Sequence, residues 1–244
     1  MRAIKRTYVS AIRGLGFGLY GSGLLSRNAA GSGPEFARWL HSLFAIYDIE
    51  AMVRLDMPWW TLQATRLVES HLAMRPGARV FEYGAGASTV FLARRAREVI
   101  SVEHDPLWYE VVARELQKYP RASLHLVQAA VEPAGTGFRS NHPAWSGHNF
   151  RNYVDAIDRE EELFDLIVID GRCRDLCLDA ALRRIKTDGL ILFDNAGRKR
   201  YRAALTNCRL PRLCTTGLTA CLPYPDPTML LSPSADVLAG LAQA

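Results

Sequence analysis

The run Phe164-Asp-Leu-Ile-Val-Ile-Asp170 constrains this chain more than any other stretch. Apart from Asp165 and the terminal Asp170 it is apolar without alternation, so a strand built from it has to be covered on both faces. The flanking sequence supplies the cover. Arg79–Tyr83, Val99–Glu103, Leu124–Val127 and Leu190–Asp194 read as further strands, separated by helical patterns at Ser88–Arg97, Pro106–Lys118 and Leu176–Lys186. Arg198–Asn207 reads as another helix. Leu213–Leu218 and Thr228–Leu231 then form a terminal antiparallel pair joined across Pro223–Pro227. Seven strands alternating with helices predict an α/β fold, a doubly wound and mostly parallel sheet with right-handed crossovers.

Ahead of the sheet, Phe36, Leu40, Leu43, Phe44 and Tyr47 recur at helical spacing. Asp56-Met57-Pro58 marks a break, and Pro58 is placed to open a second helix running through Leu72. Residues 28–33 (NAAGSG) read as a joint. The chain thus divides into an arm at 1–33, a cap of N-terminal helices at 34–75 and a main domain at 76–244. In the arm, Arg2, Lys5, Arg6 and Arg13 surround a short apolar stretch interrupted by glycines, which is a poor secretory signal. Such a segment suits either weak contact with an anionic membrane surface or a cover over the core domain.

Composition removes several classes. At 49% hydrophobic the chain is too apolar for disorder, and no run approaches the ~18 residues of a membrane span. Thirty cationic against 25 anionic side chains leave +5, which fits an anionic substrate without demanding one. The five cysteines fall between Cys173 and Cys221, odd in number and without a CxxC pair. That usage points to free thiols in a reducing, cytoplasmic setting. A homodimer is compatible with all of this.

The strand–loop–helix Val80-Phe-Glu-Tyr-Gly-Ala-Gly-Ala-Ser-Thr89 carries the chemistry. Gly84, Ala85 and Gly86 let a ligand approach the backbone, and the helix that follows, with Ser88 in its first turn, offers free N–H groups. Ligands of doubly wound sheets bind beyond the carboxyl ends of their strands. A dinucleotide fingerprint would place an apolar residue where Glu82 stands and a third glycine at Thr89. A carboxylate at Glu82 repels a pyrophosphate and attracts an ammonium or sulfonium. Glu103 ends the second strand, where an acid can accept both ribose hydroxyls. A cationic nucleoside, S-adenosylmethionine, meets both conditions.

These segments resemble class I S-adenosylmethionine-dependent methyltransferases, from about Pro58 to Leu231. FEYGAGASTVFLA and VISVEHDPLWYEVV look like the first two motifs, FDLIVIDGR the fourth and GLILFDN the fifth. PWW and DGRCR…DNAGRKRY resemble a bacterial subgroup acting on small molecules. The resemblance implies a Rossmann-like sheet, with Glu82, Gly84 and Gly86 at the cofactor and Glu103 on its ribose. It also implies His104 against the adenine, Gln128 or Ala129 at the adenine amino group, and Asp170 near the methionine amine. Many members carry an acid where Gln128 stands, which is a departure.

Methyl transfer is an in-line displacement at an activated carbon, so the protein's part is to align the acceptor, exclude water and remove a proton where there is one. Candidate bases are Asp170, Asp194, His142, His148 and Tyr201, with Asp170, Asp194 and His148 favoured. Catechol-type O-methyltransferases hold magnesium with an Asp after the fourth strand and an Asp-Asn pair after the fifth. The resemblance extends that reading to Asp170, Asp194 and Asn195; the alternative is a cofactor acid and a helix cap. Arg172, Arg174, Arg198, Lys199 and Arg200 read either as a solvated rim or as a grip on an anionic acceptor. The expectation is a methyltransferase acting on a small molecule, at oxygen, with no nucleic acid as partner. A nicotinamide-dependent oxidoreductase, a nucleic-acid methyltransferase and a non-catalytic nucleoside-binding module are the alternatives.

Overall fold

The computed structural model describes residues 34–131, 137–140, 145 and 147–243, with Ile12, Gly14, Gly18 and Ser22 ahead of them. The reading of the arm, beyond those four positions, and the candidate base His142 lie outside the described residues.

The strands are β1 Arg79–Tyr83, β2 Glu98–Glu103, β3 Ala122–Leu126, β4 Ala130–Val131, β5 His148–Asn149, β6 Phe164–Ile169, β7 Ile185–Phe193, β8 Arg212–Thr215 and β9 Thr228–Leu231. Seven of them form one sheet in the order β3-β2-β1-β6-β7-β9-β8. The first five run parallel, and β9 is antiparallel to both β7 and β8. This is the expected mostly parallel, Rossmann-like sheet with its terminal antiparallel pair. β4 and β5 make a separate antiparallel pair at the two ends of the connection over residues 132–147.

Every residue of β6 is buried because the strand lies between β1 and β7. The two-residue period of a strand sends alternate side chains to opposite faces. Phe81, Tyr83, Ile167, Ile169, Ile191 and Phe193 enter one core, beneath the helix Arg174–Arg184. Val80, Leu166, Val168, Leu190 and Leu192 enter the other, beneath the helices Leu62–Ala73 and Ala235–Gln243. Burying one such side chain contributes about 1.5–3 kcal/mol, so the continuous apolar run is the basis of the architecture. Asp165, the exception in β6, sits at the strand's amino end. Its carboxylate takes the Arg79 amide and Lys186 Nζ, each at 2.9 Å. His71 Nε2 lies 3.0 Å from the Asp165 carbonyl, and burial pushes its imidazole down to about 4.

Element ends moved where capping outweighed periodicity. The segment before Asp56 is two helices, Glu35–Ser42 and Ile49–Leu55, parted at Tyr47 with φ 57°. Pro58 does not open the next helix. Thr61 does, its hydroxyl accepting the Ala64 amide at 3.1 Å. The helix expected over residues 198–207 is a 3-10 turn, Lys199–Tyr201, followed by a short helix, Arg202–Asn207.

Candidate active site

A cleft of about 850 Å³ opens at the carboxyl ends of β1, β2, β6 and β7. Its remaining walls come from Tyr47 and Trp59 on one side and from residues 220–224 and Asp226, in the β8–β9 connection, on another.

The floor is built by close backbone approach. Gly84 has φ +92°, and a Cβ there would lie 2.8 Å from the Cα and N of Gly171, just beyond β6. A Cβ on Gly171 would meet the Tyr153 hydroxyl at 1.9 Å. That hydroxyl is buried with no hydrogen-bond partner. The two glycines therefore let the β1 and β6 ends touch over a tyrosine.

Glu82 does not face the cleft as expected. It is 0% exposed, and accepts hydrogen bonds from Ser88 at 2.5 Å and from Thr89 and Ser101 at 2.6 Å. Thr89 Oγ1 also accepts the Gly86 amide at 3.0 Å, so that N–H is not free for a ligand. Thr89, standing where a dinucleotide loop would carry glycine, is the strut that ties the loop to the acid. Burial pushes the Glu82 carboxyl up to about 7, against the pull of the three hydroxyls.

Glu103 is placed for recognition. Its Oε1 accepts the His104 and Asp105 amides at 2.7 and 2.8 Å, while Oε2 has no partner among the described residues and the side chain lines the cleft. His104 lines the cleft beside it, with Nδ1 2.7 Å from Glu103 Oε1 and Nε2 accepting from Arg172 Nε at 3.3 Å. Its ring meets Trp145 edge-on at 4.8 Å. Gln128 and Ala129 follow β3 but neither lines the cleft: Gln128 is exposed and Ala129 packs against the core.

Arg174 stands where the metal reading of Asp170, Asp194 and Asn195 places an ion. Its buried guanidinium donates to Asp170 Oδ1 at 2.6 Å and Asp194 Oδ2 at 3.3 Å, and also to the carbonyls of Asp170, Gly171 and Asp194. A cation already stands between the two carboxylates, and it is the chain's own. Asn195 donates its side-chain amide to Asp226 at 2.7 Å. Among the described residues no group of three or more His, Cys, Asp or Glu side chains could hold a metal ion. The residues therefore do not fit magnesium. Burial pushes the Asp170 carboxyl up, Arg174 opposes, and Asp194 and Glu82 add to the rise.

Of the favoured bases, Asp194 is 3% exposed and committed to Arg174 and to the Thr228 hydroxyl at 2.9 Å. His148 sits in β5 with its ring 5.2 Å from Trp145 and is not among the residues lining the cleft. Tyr201 is in the wall. Arg172, Arg198 and Arg200 line the cleft, whereas Lys199 does not. Sequence reasoning missed Trp108, whose indole Nε1 donates to the Ala85 carbonyl at 2.7 Å, bracing the glycine loop from the next helix. Trp60 is the core residue at 0% exposure, and Trp59 lines the cleft with its buried indole N–H unpartnered. Asp226 was missed as well; only its place in the loop before β9 hinted at it.

No protein-family model matches the chain, and no curated protein matches it. Solved structures do. Cofactor-bound Rv0187 from MTB superposes with a TM-score of 0.56, covering 82% of this chain and 97% of its own at 19% identity. The O-methyltransferase TomG from Streptomyces achromogenes, involved in tomaymycin synthesis and solved in complex with SAM, gives 0.54. That match covers 83% of this chain and all of TomG, at 15% identity. The likeness is one of fold: the sheet and its helical layers are shared with these two structures.

Proposed function

We propose that this chain is an S-adenosylmethionine-dependent methyltransferase acting on oxygen of a small molecule. The observation that carries the reading is Glu103, which lines the cleft with one carboxylate oxygen pinned by two backbone amides and the other without a partner among the described residues. A carboxylate held in this way is oriented to accept from a ribose diol. The glycine floor and the unpartnered Trp59 N–H fit a bulky polar ligand pressed close to backbone. S-adenosylmethionine supplies a methyl group on sulfonium, activated for displacement.

The rest falls to the chain's own residues. Glu103 Oε2 would hold the ribose and His104 would pack beside the base. Asp170 Oδ2, the oxygen that Arg174 leaves unbonded, would face the ligand's ammonium. Trp59 and Trp108, with ring centroids 5.8 Å apart, cover Gly86 and exclude water from the loop. With Asp194 committed, Asp170 and Tyr201 are the sequence-stated bases that remain on the cleft. A cleft of about 850 Å³ suits cofactor plus a small acceptor, and the likeness to TomG supports oxygen as the methylated atom.

Calorimetry with S-adenosylhomocysteine and, separately, NAD tests the reading. The demethylated cofactor is expected to bind, and Glu103→Ala to weaken it at least about tenfold, the worth of a charge-assisted pair of hydrogen bonds. Tight NAD binding without binding of S-adenosylhomocysteine overturns it.

A further inference from the structure

The acceptor half of the cleft holds more positive charge than its own acids answer. The run Arg198-Lys199-Arg200 is split by the 3-10 turn it enters: the outer two side chains line the cleft and the middle one does not. Arg172, two residues before the buried Arg174, lines the cleft as well. Among the described residues none of the three forms an ion pair, whereas Arg174 holds two carboxylates.

Their surroundings increase the imbalance. Burial, then Arg174 and Arg200, push the Arg198 guanidinium down from its usual range, as like charges on one wall must. Arg200, itself exposed at the rim, stacks 4.8 Å over the Tyr201 ring. Asp226 is the acid facing them: Asn195 donates to it at 2.7 Å, and its charge and that of Arg198 act on each other across the cleft without an ion pair. Guanidinium forks held together in a cleft focus potential and match an oxyanion bidentately.

We propose that Arg198 and Arg200 form an oxyanion subsite, and that the methyl acceptor is a small molecule bearing a carboxylate or phosphate. The identification of its occupant as the acceptor rests on the methyltransferase reading; the subsite itself rests on the arginines.

The test is calorimetry on the full chain, with and without saturating S-adenosylhomocysteine, using benzoate, phenyl phosphate and neutral benzamide as probes. At least one anion is expected to bind at least about tenfold more tightly than benzamide, and the pair of anions reports which oxyanion is preferred. Arg198→Ala and Arg200→Ala are each expected to weaken that anion about tenfold, with Arg198→Lys intermediate and S-adenosylhomocysteine affinity unchanged. Benzamide binding as tightly as the anions, or anion affinity unaltered in both alanine variants, overturns the subsite. So does binding of single-stranded oligouridylate through these arginines when neither small anion binds. Anion binding in a protein that ignores S-adenosylhomocysteine leaves the subsite standing and removes the cofactor reading instead.

Discussion

At the scale of the residue, the cleft depends on contacts one atom wide. Tyr153 presents an unpaired buried hydroxyl to Gly171, and a methyl group on that glycine would overlap it. Gly171→Ala is expected to cost about 1–3 kcal/mol in urea unfolding, as overpacking does. Tyr153→Phe alone should be neutral or stabilising, because the hydroxyl it removes has no partner to lose. The double variant should recover about 1 kcal/mol of the glycine's loss, which a double-mutant cycle reads directly. Two buried groups titrate with opposite sign. Glu82 is raised from 4.5 to about 7, so its folded form holds a proton that the unfolded form has released, and stability falls as pH rises through that window. Glu82→Gln should therefore gain on the parent in thermal melts between pH 5 and 8, by up to about 3 kcal/mol. His71, lowered from 6.5 to about 4, does the reverse: its contribution is complete above 6.5 and is lost as pH falls toward 4.

The glycine loop and Glu103 were legible in the sequence because their roles are set by neighbours a few residues away. The actual partners of Glu82 were half legible: Ser88 and Thr89 are local, but Ser101 comes from the next strand through parallel pairing with β1. Arg174 reads from sequence as either solvated rim or acceptor grip, and not as a tie between strand ends, for the same reason. Its spacing from Asp170 is one helical turn, yet its second partner, Asp194, reaches it only through the pairing of β6 with β7.

At the scale of the element, one side chain joins the ends of two strands. Arg174 opens the helix after β6 and bonds the carbonyls of Asp170 and Asp194 as well as their carboxylates. Arg174→Met should unfold about 3–5 kcal/mol more easily, since both acids lose a buried counter-charge. Arg174→Lys should lose less, with a point charge in place of the fork. The same geometry predicts that turnover survives excess EDTA and gains nothing from magnesium. Loss of activity on chelation, restored by the metal, would return Asp170, Asp194 and Asn195 to the role of ligands. Strand positions were easier to foresee than helix starts. An apolar run marks a buried strand by itself, whereas the helix at Leu62 starts where Thr61 can cap it, not at the nearby Pro58.

At the scale of the whole molecule, a ligand seated across several strand ends should stiffen all of them. S-adenosylhomocysteine at about 100 times its dissociation constant is expected to add about 2.7 kcal/mol to stability, seen as a rise in melting temperature. Glu103→Ala should lose most of that rise. Among the described residues no helix is long and apolar enough to cross a membrane.

The β8–β9 connection clasps the opposite end of the chain. Trp39 Nε1 donates to the Thr219 and Leu222 carbonyls, the Leu62 amide to Leu218, and the Cys221 amide to the Ser42 hydroxyl. A polypeptide leaving the ribosome therefore has its glycine turn and Glu103 in hand long before the last two strands emerge. The wall that residues 218–226 build, and the earlier helices that lean on it, lock together only after β8 and β9 have emerged.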